Sequence, residues 1–173
     1  SSIAASLGFR IFIIDAREDF SNPTRFPEAE QTVVSDYGSA FKKLPIGTNS
    51  FIVIATRGHR YDASATAAAM KTPASYVGLL GSKRKTILIF EELFFEGFTM
   101  EEVQSVRSPI GLNISARTPE EIALSIMAEI VGFRLGGDGG TLKLNQLLID
   151  KAAEKADSRP ENAPTPEAAV GAD

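Results

Sequence analysis

The chain has 173 residues, 43% of them hydrophobic, which is enough for one domain with a real core and too little for two full ones. A formal net charge of -4 and a pI near 5.1 argue against general affinity for nucleic acid or an anionic membrane. With no cysteine and a single histidine, the chain has no disulfides, thiolate metal sites, cysteine nucleophile or zinc-hydrolase constellation of its own.

No apolar run reaches the roughly 18 residues of a membrane span and no signal-peptide pattern is present, so a soluble, cytoplasmic protein is expected. In chain order, Ser1 to Gly8 reads as the end of a helix closed by a glycine cap. Arg10 to Asp15 is a continuous, β-branched apolar run ending in an acid, the pattern of a parallel strand buried on both faces. In dinucleotide-binding folds an acid at that place takes a ribose hydroxyl pair, and otherwise it caps the next turn, so Asp15 carries both readings. Arg17 has two as well: reaching a phosphate, or pairing with Glu18 or Asp19. The Glu18 to Glu30 stretch, with two prolines, reads as an irregular connection. Thr32 to Val34 is a short strand.

Phe51 to Thr56 is the next apolar strand, followed by Arg57, Gly58, His59, Arg60 and Asp62. Ligands of open parallel sheets gather at such carboxyl ends, which makes this loop a natural site wall. His59 is either a surface turn residue or, with two arginines favouring its neutral form, a hydrogen-bonding group. Asp62 is read as the cap of an alanine-rich helix from Ala63 to Met70. Tyr76 to Leu80 is a further strand, passing through Gly78 and Gly81 into Ser82, an N-cap, and a helix over Lys83 to Phe95. Lys83, Arg84 and Lys85 add positive charge to an end the helix dipole already makes positive, an arrangement that suits a bound phosphate or, blandly, solvent. The wide apolar coverage of that helix implies deep packing or an interface.

Thr99 opens a short helix, and Pro109 and Gly111 set a tight turn. Thr118, Pro119 and Glu121 form a capping box before a helix with Ile122, Ile126, Ile130 and Phe133 on one stripe. Gly136 to Gly140 stops it as a C-cap and linker, since it follows a helix and not a strand. Residues 1–150 are expected to be one domain and 151–173 a disordered tail.

Alternating apolar strands and helices point to an α/β, Rossmann-like doubly wound parallel sheet. The first strand and Gly-x-Gly-x-x-Gly turn of such a sheet are not in this chain, which opens where the first helix should end.

Several stretches together resemble the carboxy-terminal domain of the XdhC/CoxI family, accessory proteins of xanthine dehydrogenase and related molybdenum hydroxylases. They are Leu7 to Arg17, Arg25-Phe-Pro27, Tyr76-Val-Gly-Leu-Leu-Gly-Ser-Lys-Arg-Lys85, Ser108-Pro-Ile-Gly-Leu112 and Thr118 to Ile130, in order over about residues 7 to 135. The resemblance implies a Rossmann-like domain in a protein that binds molybdenum cofactor, holds it while a cysteine desulfurase partner supplies sulfur, and assists insertion into the apo-hydroxylase. Molybdopterin or its dinucleotide would then be the anionic guest of Asp15, Arg17, Thr56, His59, Asp62, Gly78, Gly81, Ser82, Lys83, Arg84, Lys85, Pro109 and Gly111. The chain departs from the family in lacking the cysteine-bearing amino-terminal domain, and in having Thr56, Arg57, Gly58 and His59 where Thr-His-Asp-His is usual. A non-catalytic cofactor chaperone, with no metal ligands of its own, is therefore the leading expectation. An NAD(P)-dependent oxidoreductase and a ligand-free module dimerising through Ile87 to Phe95 are the alternatives.

Overall fold

The computed structural model describes residues 1–56 and 58–158, with the backbone alone at 59 and 60. One compact unit spans Ser1–Gly139 and a second begins at Gly140. The first contains α1 (Ser2–Ser6), β1 (Phe12–Asp15), a 3-10 turn at Glu18–Phe20, β2 (Gln31–Val34), α2 (Tyr37–Phe41), β3 (Phe51–Ile54), α3 (His59–Met70), β4 (Tyr76–Leu79), α4 (Lys83–Phe95), α5 (Met100–Ser105) and α6 (Pro119–Leu135). The second contains α7 (Gln146–Asp157).

All strand pairs among the described residues are parallel, β1 and β2 joined through an irregular connection and β3 and β4 through α3. β1 pairs with β2 from Phe12↔Gln31 to Asp15↔Val34, and β3 with β4 from Phe51↔Tyr76 to Ile54↔Leu79. Beyond β4 the backbone of Arg107 continues the ladder, its N–H donating to Val77 O and its carbonyl accepting from Leu79 N, both at 2.9 Å. The parallel α/β architecture expected from sequence is therefore present, as two two-stranded sheets. Among the described residues β1 has only β2 as a sheet partner and β3 only β4, so each turns an unpaired edge to the same cleft. Val53, 42% exposed in the middle of β3, shows how open that edge is.

The core follows from side-chain size. Ala63, Ala65, Ala67 and Ala69 are buried along α3, and their small volumes let the helix lie close against β3, β4 and α4. Leu79, Ile89, Leu93 and Val103 fill the space between. A second cluster joins Tyr76, Ile110, Ile126 and Ile130 to Phe9 and Phe51. There Phe133 stands edge-on to Tyr76 at 5.2 Å between ring centres.

Three helix starts are where capping chemistry placed them. Ser82 accepts a hydrogen bond from Lys85 N, and Thr99 and Thr118 each form a reciprocal capping box with the glutamate three residues on. Four features differ from the sequence reading. The alanine-rich helix begins at His59, not Ala63, which moves Asp62 from the cap into the first turn. Residues 37–41, unassigned from sequence, form α2 because Asp36 accepts from Ser39 N at 2.9 Å. The irregular connection contains the 3-10 turn. Finally, Lys151–Asp157 continue α7, capped by Asn145, where a disordered tail was expected. The rest of that tail, from residue 159, lies outside the described residues. No helix among the described residues is long and apolar enough to cross a membrane.

Candidate functional site

The strands run outward from the cleft in chain order on either side, β1 then β2 and β3 then β4, so the direction of winding reverses between β1 and β3. At such a switch point the carboxyl ends of two strands diverge and leave a crevice. Here the cleft, about 1090 Å³ in volume, runs along both strands, from Phe9 and Phe51 at their starts to Asp15, Arg17 and Thr56 at their carboxyl ends.

At the end of β1, Arg17 folds back on Asp15. Its Nε donates to Oδ1 and a terminal nitrogen to Oδ2, both at 2.9 Å, while Arg17 N donates to Oδ1 at 3.0 Å. This fork, rather than Glu18 or Asp19, is the partner of Arg17, and its hydrogen bonds raise the guanidinium pKa. The guanidinium also lies 3.8 Å over the centre of the Phe20 ring. Asp15 is thus engaged by its own neighbour, and Arg17 lines the crevice together with Arg25.

At the end of β3, Asp62 is completely buried. Its Oδ1 accepts from Thr56 N at 3.0 Å and from Thr56 Oγ1 at 2.7 Å, and its Oδ2 meets the Lys85 ammonium. A carboxylate so far from water needs a counter-charge, and Lys85 supplies it from the first turn of α4. The node ties the ends of β3 and the starts of α3 and α4 together. Tyr37, at the start of α2, lines the same cleft, and its phenol pKa is raised, first by burial and then by the charges of Asp15 and Asp62. One side chain therefore senses both strand ends.

The other sequence-predicted residues fall into three groups. Lys83 and Arg84 are exposed, do not line the cleft, and make no ion pair with a described residue. Gly81 and Ser82 form the turn that delivers α4, with Ser82 as its cap. Gly78 and Gly111 belong to packing, and Pro109 is exposed in the turn between them. A Cβ on Gly78 would sit 2.8 Å from both Ile110 Cγ1 and Tyr76 Cε1, and Gly111 has a φ of 105°. Gly111 N donates to Glu129, which also accepts from Tyr76 OH at 2.9 Å, so the turn is pinned to α6. The side chain of His59 and all of Arg57 lie outside the described residues.

Sequence reasoning missed Tyr37 and Glu129. Tyr37 could have been found from the Asp36 and Ser39 pair, an N-cap signal just past a strand. Glu129 had no local signal, because its partners, Tyr76 and Gly111, are distant in sequence.

Parallel strands, a winding reversal and a crevice that opens at the carboxyl ends of β1 and β3 define a Rossmann-type α/β domain. Residues 1–130 match the family model of the XdhC Rossmann domain. The chain belongs to that family. It is 34% identical over 140 residues to the Escherichia coli K12 protein YqeB, described as uncharacterized, covering 80% of this chain and 26% of that one. It is 28% identical over 134 residues to a Bacillus subtilis 168 protein described as a probable xanthine dehydrogenase subunit, covering 78% and 38% respectively. Identity is also 28% over 102 residues with the E. coli molybdenum cofactor insertion chaperone PaoD, covering 59% and 32%. A crystal structure described as a xanthine dehydrogenase from Bacillus halodurans superimposes with a TM-score of 0.67 at 26% identity, covering 82% of this chain and 40% of that one. The chain thus spans between about a quarter and two fifths of the length of these relatives.

Proposed function

We propose that this domain is the cofactor-handling part of a maturation factor for a xanthine dehydrogenase-type molybdenum hydroxylase. It binds molybdenum cofactor, as molybdopterin or its dinucleotide, and holds it for sulfuration by a cysteine desulfurase and insertion into the apo-hydroxylase in the cytoplasm. The observation that carries this reading is the crevice at the winding reversal, which Arg17, held by Asp15 at the end of β1, lines together with Thr56 at the end of β3. Likeness to a protein named as a molybdenum cofactor insertion chaperone supplies the cofactor class.

The residues fit such a guest. Arg17 offers remaining N–H donors to a phosphate or pyrophosphate. Phe20 and Tyr37 give flat apolar faces beside it, and Thr56, held by Asp62, sets the wall. Gly81, Ser82 and Lys83 flank the next strand end, with the positive end of α4 behind them. Lys85 serves indirectly, by neutralising Asp62. Arg84 is one helical step round from Lys83 and faces outward with Ile87 and Glu91, so it stands apart from this site. The cofactor would supply the molybdenum centre, and the protein's part is to bind, orient and release it.

An NAD(P)-binding oxidoreductase is less well supported, because the Arg17 fork engages the Asp15 carboxylate that would take a ribose. The experiment is to incubate the purified chain with isolated molybdenum cofactor and measure bound molybdenum and pterin fluorescence after gel filtration, with NADH as competitor. Near-stoichiometric retention unaffected by NADH is expected. Retention of NADH in place of the cofactor would overturn the assignment.

A further inference from the structure

We propose that α4 is a self-association helix, pairing antiparallel with α4 of a second copy of this chain about a two-fold axis. Three observations carry this, and of the side chains they use only Lys83 also stands beside the proposed cofactor site. The first is an unpartnered stripe. Thr86, Ile89 and Leu93 are buried against the core, while Arg84, Ile87, Leu88, Glu91 and Phe95 recur along the exposed face. Ile87 is 58% exposed, Leu88 45% and Phe95 94%.

The second is the order of charges. The first turn of α4 carries no acid and its last turn no base; Lys83 and Arg84 stand at the positive end of the dipole, and Glu91, Glu92 and Glu96 toward the negative end. Within one copy this arrangement opposes the helix dipole at both ends. In an antiparallel pair the basic end of each helix meets the acidic end of the other, and the arrangement becomes complementary. With the axis passing between Ile87 and Leu88, Arg84 lies opposite the partner's Glu91, about 10 Å along the helix from its own. Ile87 then meets the partner's Leu88 at the centre, and Leu88 the partner's Ile87.

The third is a shallow, open hollow on that face. Leu88, Glu91, Glu92, Phe95 and Glu96 line a surface depression of about 420 Å³. An apolar floor between carboxylates suits an arginine, whose stem packs on Leu88 and Phe95 while its guanidinium pairs with Glu91. An isologous contact uses this depression twice, once on each copy.

Sedimentation velocity of the full chain over a wide concentration series tests the proposal by charge exchange. The wild type is expected to dimerise reversibly. Arg84→Glu or Glu91→Arg alone should weaken self-association by about tenfold or more, because each sets like charges opposite one another twice. An equimolar mixture of the two variants should recover the dimer, as should Arg84→Glu combined with Glu91→Arg in one chain. Should Arg84→Glu fail to fold, Glu91→Arg set against Glu91→Gln makes the comparison, the reversed charge weakening self-association more than the neutral amide. A wild type that stays monomeric, a dimer that neither exchange weakens, or single variants that neither mixing nor the double exchange rescues would overturn the assignment.

Discussion

Replacing Lys85 by methionine removes the only cation facing the buried Asp62 carboxylate among the described residues while keeping most of the stem that packs beside it. Breaking a fully buried ion pair costs about 3–5 kcal/mol, and an exposed one about 0–1. Asp62 is wholly buried but the Lys85 side chain is 27% exposed, so water screens one partner, and a loss of about 2–3 kcal/mol is expected. For a unit of this size that lowers the melting temperature by roughly 6–15 °C. The cost is asymmetric. In Asp62→Asn the lysine can turn to solvent and the Thr56 hydrogen bonds have an amide oxygen to accept them, so that variant should lose less than Lys85→Met. Combining the two removes both charges, and the double variant should be more stable than the sum of the singles by about 1–3 kcal/mol. Urea denaturation of the four proteins, with the slope m checked for constancy, gives the cycle. A Lys85→Met cost below about 0.5 kcal/mol, or strict additivity, would refute the claim that this pair fastens the strand ends together.

Gly78→Ala should cost about 1–3 kcal/mol, read by chemical denaturation, since its methyl group enters space held by Ile110 and Tyr76. Thr118→Ala should lose about 1 kcal/mol through the α6 capping box, seen as earlier helix loss by circular dichroism. The Tyr76 phenol, held neutral by burial and by its bond to Glu129, has a pKa well above its ordinary value near 10, and Tyr37 is shifted the same way. A raised folded pKa gives stability that is intact below the unfolded value and lost as pH rises through the window above it. Stability should therefore fall above about pH 10, and Tyr76→Phe should flatten that fall in a pH series of denaturation midpoints.

What could be read from the sequence was whatever lies within one turn or one strand. The apolar runs ending at Asp15 and Ile54, the Ser82 cap and the Thr118 capping box all act through neighbours a few residues away, and the structure has each. Lys85 was misjudged because its role depends on Asp62, which an intervening helix and strand bring to it. Three consecutive cations looked like one anion site. Helical geometry instead gives them three directions, Lys83 at the turn, Arg84 on the outer stripe and Lys85 into the core. For Arg17 the sequence offered a phosphate or the acids that follow it, and the acid two residues before, which a tight strand end folds under its guanidinium, was not among the candidates. Glu129 stayed invisible for the same reason as Lys85, since both its partners arrive from distant stretches.

The central claim is that the crevice between the ends of β1 and β3, with Arg17 at its mouth, is where an anionic cofactor is held. Equilibrium dialysis of isolated molybdenum cofactor against the wild type, Arg17→Ala and Arg84→Ala tests it most directly, with molybdenum counted per chain. Arg17→Ala should retain at least about tenfold less than the wild type, the loss of a charge-assisted phosphate contact, while Arg84→Ala on the outer face should match it. Equal retention by Arg17→Ala and the wild type, or loss in Arg84→Ala alone, would contradict the account.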